Sequence, residues 1–223
     1  MPLSPIDRLN NITTGRDTRP SRRKNIAMDY ETYFGEMGLP EDEIEERISL
    51  AKDLDDVFEY LFVIYLALMR AGMEVNREEL TVMVMWRYRD VLKSHGIDFE
   101  VKYPGLLDIT RERSGDIVDT TISRGEEDTW WTSEDRAMLL AENEVNTVGN
   151  YDDMVDAIEN GYTEKTWCTM GDRRVRDTHR EVDGVTVGIL DYFEVGESLM
   201  MYPCDPSGGP EETSNCRCWV EYS

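Results

Sequence analysis

The stretch that most restricts the fold is "EDEIEERISLAKDLDDVFEYLFVIYLALMR", residues 41–70. Pro40 precedes an acidic first turn that complements the positive end of a helix dipole, and Gly72 stands just past the far end, so the spacing predicts one long helix from Glu41 to Arg70. From Phe58 to Met69 this helix is apolar nearly all round, which requires the inside of a bundle or the surface of another subunit. The apolar run Val57–Met69 is too short and too interrupted to cross a bilayer. No membrane partner is therefore expected.

Three further helices follow from the same signals. Asn76 as N-cap, Glu79 at the capping-box position and Gly96 as a stop predict a second helix. A weaker pattern runs from Leu106 to Ser123, and a stronger one starts at Thr132 or Ser133 and closes at Gly161. From Tyr162 onward the texture changes to short runs such as "YTEKTWCT", "GVTVGIL", "DYFEVG" and "CRCWVEY", separated by Gly, Pro and Asp. These are strand-length segments with turn chemistry between them. The expected fold class is α+β: a helical first two-thirds, then a small, loop-dominated, β-rich module.

Charge divides the chain differently. Its 223 residues carry 47 acidic against 24 basic side chains, a formal charge of −23, which opposes general binding to a phosphate backbone. The first 24 residues reverse this, with Arg8, Arg16, Arg19, Arg22, Arg23 and Lys24 against Asp7 and Asp17. Rich in Pro, Ser, Thr and Asn and without periodicity, residues 1–28 read as a basic extended or disordered arm. That arm is either a solvated tail or a contact for a partner or DNA. The organisation expected is an arm over 1–28, a helical region over 29–131 and a last domain over 132–223. The start also lacks the apolar core of about 7 to 15 residues that a secretory signal needs.

The last domain holds an ordered set of positions: Gly161, Lys165 and Trp167; Asp172, Val175, Arg176 and His179; Asp183 and Gly184; Phe193 and Gly196; Pro203, Asp205 and Pro206; then Asn215, Cys216, Arg217 and Cys218. Single pieces such as D-x-x-V-R-x-x-H carry little information, but the whole set in this order closely resembles the carboxy-terminal signature of the phage Mu F-like and SPP1 minor head proteins, a head-morphogenesis family. The helix "RAMLLAENEVN" resembles the one that precedes this signature, keeping Ala141 and Glu144 but placing Glu142 where the family usually has Arg and Asn143 where it usually has Thr.

The resemblance implies a structural minor capsid protein of a tailed phage, built into the head near the portal during assembly in the host cytoplasm and concerned with head assembly or DNA delivery. Its implied partners are the portal protein and the major capsid or scaffold protein. Its implied location is the virion.

Four cysteines without a secretory signal favour thiols that are free or hold metal over disulfide staples. His179, Cys216 and Cys218 offer three ligands for a tetrahedral zinc ion, with Cys168 or Cys204 as a fourth. The alternative is a His179 hydrogen-bonded to Asp183 or a backbone carbonyl among cysteines that serve as small buried hydrophobes. Cys168 and Cys204 also form a candidate close pair. Two residues apart on an extended segment, Cys216 and Cys218 do not easily bridge each other and look to other partners.

Asp172 with Arg176, and Asp183 with Arg217, are candidate carboxylate clamps, and Trp167, Phe193 and Trp219 a candidate aromatic core. No catalytic residue is assigned, since H-E-x-x-H, G-x-S-x-G and P-loop motifs are missing. A metal-dependent or Cys/His hydrolase stands as the alternative function.

Overall fold

The computed structural model describes residues 40–97 and 105–223. The predicted basic arm lies outside the described residues. Four helices come first: α1 (Glu41–Arg70), α2 (Arg77–Ser94), α3 (Leu106–Arg124) and α4 (Glu134–Glu159). Their ends follow the expected chemistry. The Asn76 side chain accepts the Glu79 N–H at 3.2 Å and donates to the Glu79 carboxylate at 3.1 Å, and Ser133 rather than Thr132 caps α4, accepting the Arg136 N–H at 3.2 Å.

Leu50, Leu54, Phe58, Leu61 and Tyr65 bury one stripe of α1, which packs chiefly on α4 and α2, while α2 packs on α3. The apolar middle of α1 is not enclosed all round. Val63 is 46% exposed, and Trp86 on α2 is 49% exposed, because the neighbouring helices cover only one side of this pair. Burying the core stripe is where most of the stabilisation lies, at about 1.5–3 kcal/mol for each fully buried large aliphatic or Phe side chain. No described helix is long and apolar enough to cross a membrane.

The carboxy-terminal module holds five short strands: β1 (Glu164–Cys168), β2 (Thr186–Gly188), β3 (Phe193–Val195), β4 (Ser198–Met200) and β5 (Trp219–Tyr222). β1 lies between β2 and β5, antiparallel to both, with Thr166 opposite Thr186 and Trp167 opposite Val220. β3 and β4 form a separate hairpin with Phe193 opposite Met200. Two short helices, α5 (Asp177–Glu181) and α6 (Gly209–Thr213), stand between the strands. Neither is visible in the sequence texture, since each is a single turn or little more.

A second, smaller core is built from Trp167, Val182, Phe193, Val195, Met200, Cys204, Cys216 and Cys218. Trp167 meets Phe193 edge-on at 5.2 Å between ring centres. Trp219 does not join them. It is only partly buried, opposite Cys168 on β5, and His179 takes the third aromatic place at 5.5 Å from Trp167.

Candidate metal centre

His179 comes from α5, a helix tied just past its C-terminal end to β1 and the loop that follows it. Asp183 accepts the Thr169 N–H at 2.8 Å, and the Gly184 N–H donates to the Trp167 carbonyl at 2.8 Å, where Gly184 turns the chain at φ +75°. The expected His179–Asp183 contact is therefore replaced, because Asp183 spends its carboxylate on the loop after β1. The His179 ring instead lies against the two cysteines of the loop between α6 and β5.

Asn215 turns the chain at φ +56°, and Cys216 and Cys218 follow two residues apart just before β5, a spacing that puts both side chains on one face of an extended segment. Both sulfurs converge on one nitrogen. Nδ1 of His179 lies 3.3 Å from Cys218 Sγ and 3.7 Å from Cys216 Sγ, and all three candidate ligand atoms lie within 4.8 Å of one another. Zinc–nitrogen and zinc–sulfur bonds of about 2.0 and 2.3 Å at a tetrahedral angle put N and S about 3.5 Å apart. The observed pair of distances brackets that value.

The other side of the imidazole carries its own support. Nε2 lies 3.0 Å from the buried Glu212 carboxylate, within ion-pair distance but off the line of a hydrogen bond. Glu212 also accepts from Thr178 Oγ1 at 2.8 Å. A carboxylate on the far nitrogen is the arrangement that fixes the tautomer of a metal-bound histidine. Sequence reasoning missed Glu212, since nothing in "GGPEETSN" marks one of two adjacent acids as buried.

The thiols are unequal. Hydrogen bonds from Cys204 and Cys218 and the neighbouring His179 hold the Cys216 thiol well below its ordinary range, against its burial. The bond to Cys216 and burial push Cys218 up, and Cys204 is raised by the same two causes. The buried indole N–H of Trp167 has no nitrogen or oxygen acceptor and lies beside the Cys218 sulfur, whose charged form it favours.

Cys168 is not brought to this cluster. In β1, Lys165 and Trp167 point inward and Cys168 falls on the alternate face, its thiol pushed up to about 11 by burial and the nearby Glu221. Cys204, 1% exposed, meets Cys216 instead of Cys168, so the anticipated Cys168–Cys204 pair does not form. All four cysteines are free.

One carboxylate clamp forms, with a partner other than the expected one. Arg217, not Arg176, pairs with Asp172, its Nη2 donating to both carboxylate oxygens at 2.7 Å. Asp172 is aimed that way by an Asx turn in which it accepts the Arg174 N–H at 2.8 Å. Arg176 donates to the Ser214 carbonyl. Both arginines thus pin the loop that bears the cysteines.

From the helical side, α4 holds the same loop. The Asn215 N–H donates to Asn143 Oδ1 at 2.8 Å, and Asn146 Nδ2 to the Cys216 carbonyl at 3.2 Å. Lys165, fully buried, donates to the Met201 carbonyl at 2.8 Å and lies over the Phe193 ring.

A family model described as phage Mu protein F like protein matches residues 109–221, just over half of the chain. The match begins inside α3 and contains every side chain of the cluster. No curated protein and no solved structure matches the chain.

Proposed function

The chain belongs to the phage Mu protein F like family, and from that premise we propose that it is a structural minor capsid protein of a tailed phage, incorporated beside the portal and engaged in head assembly or DNA delivery. Family membership makes it a protein of phage head morphogenesis. Within the proposal, the portal protein and the major capsid or scaffold protein are its partners. The basic residues 1–28 touch packaged DNA or an acidic partner surface, and the virion is its final location.

The observation that supports a structural rather than chemical role is how completely the reactive groups are enclosed. His179, Cys216 and Cys218 are 1%, 1% and 2% exposed, and no substrate reaches sulfur at that depth without unfolding the module. In this reading the three residues hold one zinc ion that stiffens a module with little regular structure.

One feature favours the hydrolase reading. Cys218, His179 and Glu212 stand in the order of a nucleophile, a base and a group that orients the base. Against it, Cys218 and His179 are both enclosed, which leaves no approach for a substrate to the thiol.

Co-purification of the full chain with the portal protein, followed by cryo-EM of heads assembled with and without it, tests the structural role. Density for the chain at the portal vertex is expected. Heads that assemble and deliver DNA normally without it would overturn the proposal, as would a hydrolysis lost in Cys218→Ser protein that still assembles.

A further inference from the structure

Resting on the zinc reading above, we propose that Cys204 is the fourth ligand of this centre, so that the site is a closed Cys3His shell with no position left for water or substrate. Structural zinc takes four protein ligands, and His179, Cys216 and Cys218 supply three. Two other donors are ruled out by where they stand. Cys168 occupies the opposite face of β1. Glu212 sits at Nε2, whereas the two sulfurs gather at Nδ1, so its carboxylate supports the ring from behind.

Cys204 has the right neighbours and an unusual backbone. Its thiol meets Cys216 and lies 3.7 Å from the Cys216 carbonyl. Its φ is +64°, a region that residues other than Gly, Asn and Asp seldom occupy. The turn that bears it is held firmly, with the Met201 and Ser207 N–H groups donating to Asp205 at 2.7 and 2.9 Å.

The second observation comes from α4. Thr147 Oγ1 lies 3.2 Å from the Cys204 carbonyl, and its neighbour Asn146 holds the Cys216 carbonyl at the same distance. Adjacent side chains of one helix therefore position the backbones of two cysteines from distant turns. A pair of incidental buried thiols needs no such bracing. The Cys204 sulfur touches the group through Cys216 and lies outside the three-atom set, so the bound ion draws it inward to complete the tetrahedron.

Cobalt(II) replacing zinc in the full-length reduced protein reads the sulfur count, because each thiolate adds sulfur-to-metal charge-transfer absorption. Wild type should bind one equivalent with tetrahedral visible bands. Cys204→Ser should lose about a third of the charge-transfer intensity as three sulfurs become two, while Cys168→Ser should leave the spectrum unchanged. Zinc-edge X-ray absorption on the wild type covers the case in which Cys204→Ser fails to fold, and three sulfurs with one nitrogen are expected. Wild type that takes up no cobalt or zinc defeats the metal reading itself. Wild type that binds metal with two sulfurs, or a Cys204→Ser spectrum equal to that of the wild type, defeats only the closure by Cys204.

Discussion

Arg113 donates two hydrogen bonds to one oxygen of Glu144, at 2.9 and 2.7 Å, while Tyr88 donates to the other oxygen at 3.0 Å, and Glu144 has no exposed surface. The pair joins α3 to α4, and Tyr88 brings in α2. Burial, then the Glu144 charge, raises the Tyr88 hydroxyl well above its ordinary range, and Glu144 strengthens the hold of Arg113 on its proton. Removing one charge of such a pair costs more than the pair contributes, because the other stays buried without compensation. Arg113→Met should therefore destabilise the protein by about 3–5 kcal/mol in urea unfolding, and Arg113→Met combined with Glu144→Gln by clearly less. A double variant as unstable as Arg113→Met would show that the Glu144 charge left alone carries no such penalty.

Lys165 supplies a pH signature of the second core. It is fully buried, and its amine is pushed down to about 8, mainly by burial, with Asp191 and Asp205 opposing. Its folded value lies below the unfolded one, so the unfolded chain binds the proton more tightly. The penalty is present in full below about pH 8 and is relieved as pH rises toward the ordinary lysine value. Stability of the module should therefore increase across that alkaline window, and Lys165→Met should flatten the rise. A wild-type profile that falls throughout the same window would contradict this burial argument.

Much of the architecture could be read directly from caps and texture. Pro40, Asn76, Ser133, Gly96 and Gly161 mark helix ends by local chemistry, which tertiary context rarely overrides, and the change at Tyr162 marks the strands. The cluster was legible only as a list of ligands. His179 and the C-x-C pair stand out because those residue types are scarce here, but their convergence is a contact between segments 37 and 39 positions apart, which no local spacing encodes. Glu212, Asn146 and Thr147 were invisible, since ordinary polar residues gain their roles from contacts across about thirty to seventy residues of chain. The partner of Asp172 was hidden for the same reason: Asp172 and Arg217 are 45 positions apart, and no local spacing encodes that pairing. The cation for Glu144 likewise comes from Arg113 on another helix, while its near neighbour Glu142 offers none.

The Asp172–Arg217 clamp predicts sensitivity to acid. The Arg217 hydrogen bonds, aided by the Arg174 N–H, hold the Asp172 carboxyl down to about 2. With the folded value below the unfolded one, the stabilisation is present above the ordinary carboxylate range and disappears as pH falls through about 2. The side chain is 37% exposed, so solvent screening limits the effect to under about 1 kcal/mol. Asp172→Asn should remove that increment at neutral pH and leave a shallower acid limb in denaturation monitored by circular dichroism. Identical acid limbs in the two proteins would show that the clamp adds no measurable stability.

Chelation should separate the two cores. The helical bundle is filled by its own cluster of Leu, Phe and Val side chains, whereas the second core is small and includes three of the four cysteines. A structural ion contributes folding energy outright, and a small core without it has little else to order its loops. Removal of zinc from reduced protein by a strong chelator should therefore change the near-ultraviolet signal of Trp167, which packs on His179, while most helical far-ultraviolet signal persists. Restoring zinc should reverse the change. Glu212→Gln should weaken zinc binding by roughly 10–100-fold through loss of the charge behind the imidazole, without altering the sulfur ligands. Loss of helical and tryptophan signals together on chelation would mean that the bundle itself depends on the ion. No signal change in protein shown to have lost its zinc would mean that the buried core suffices without it.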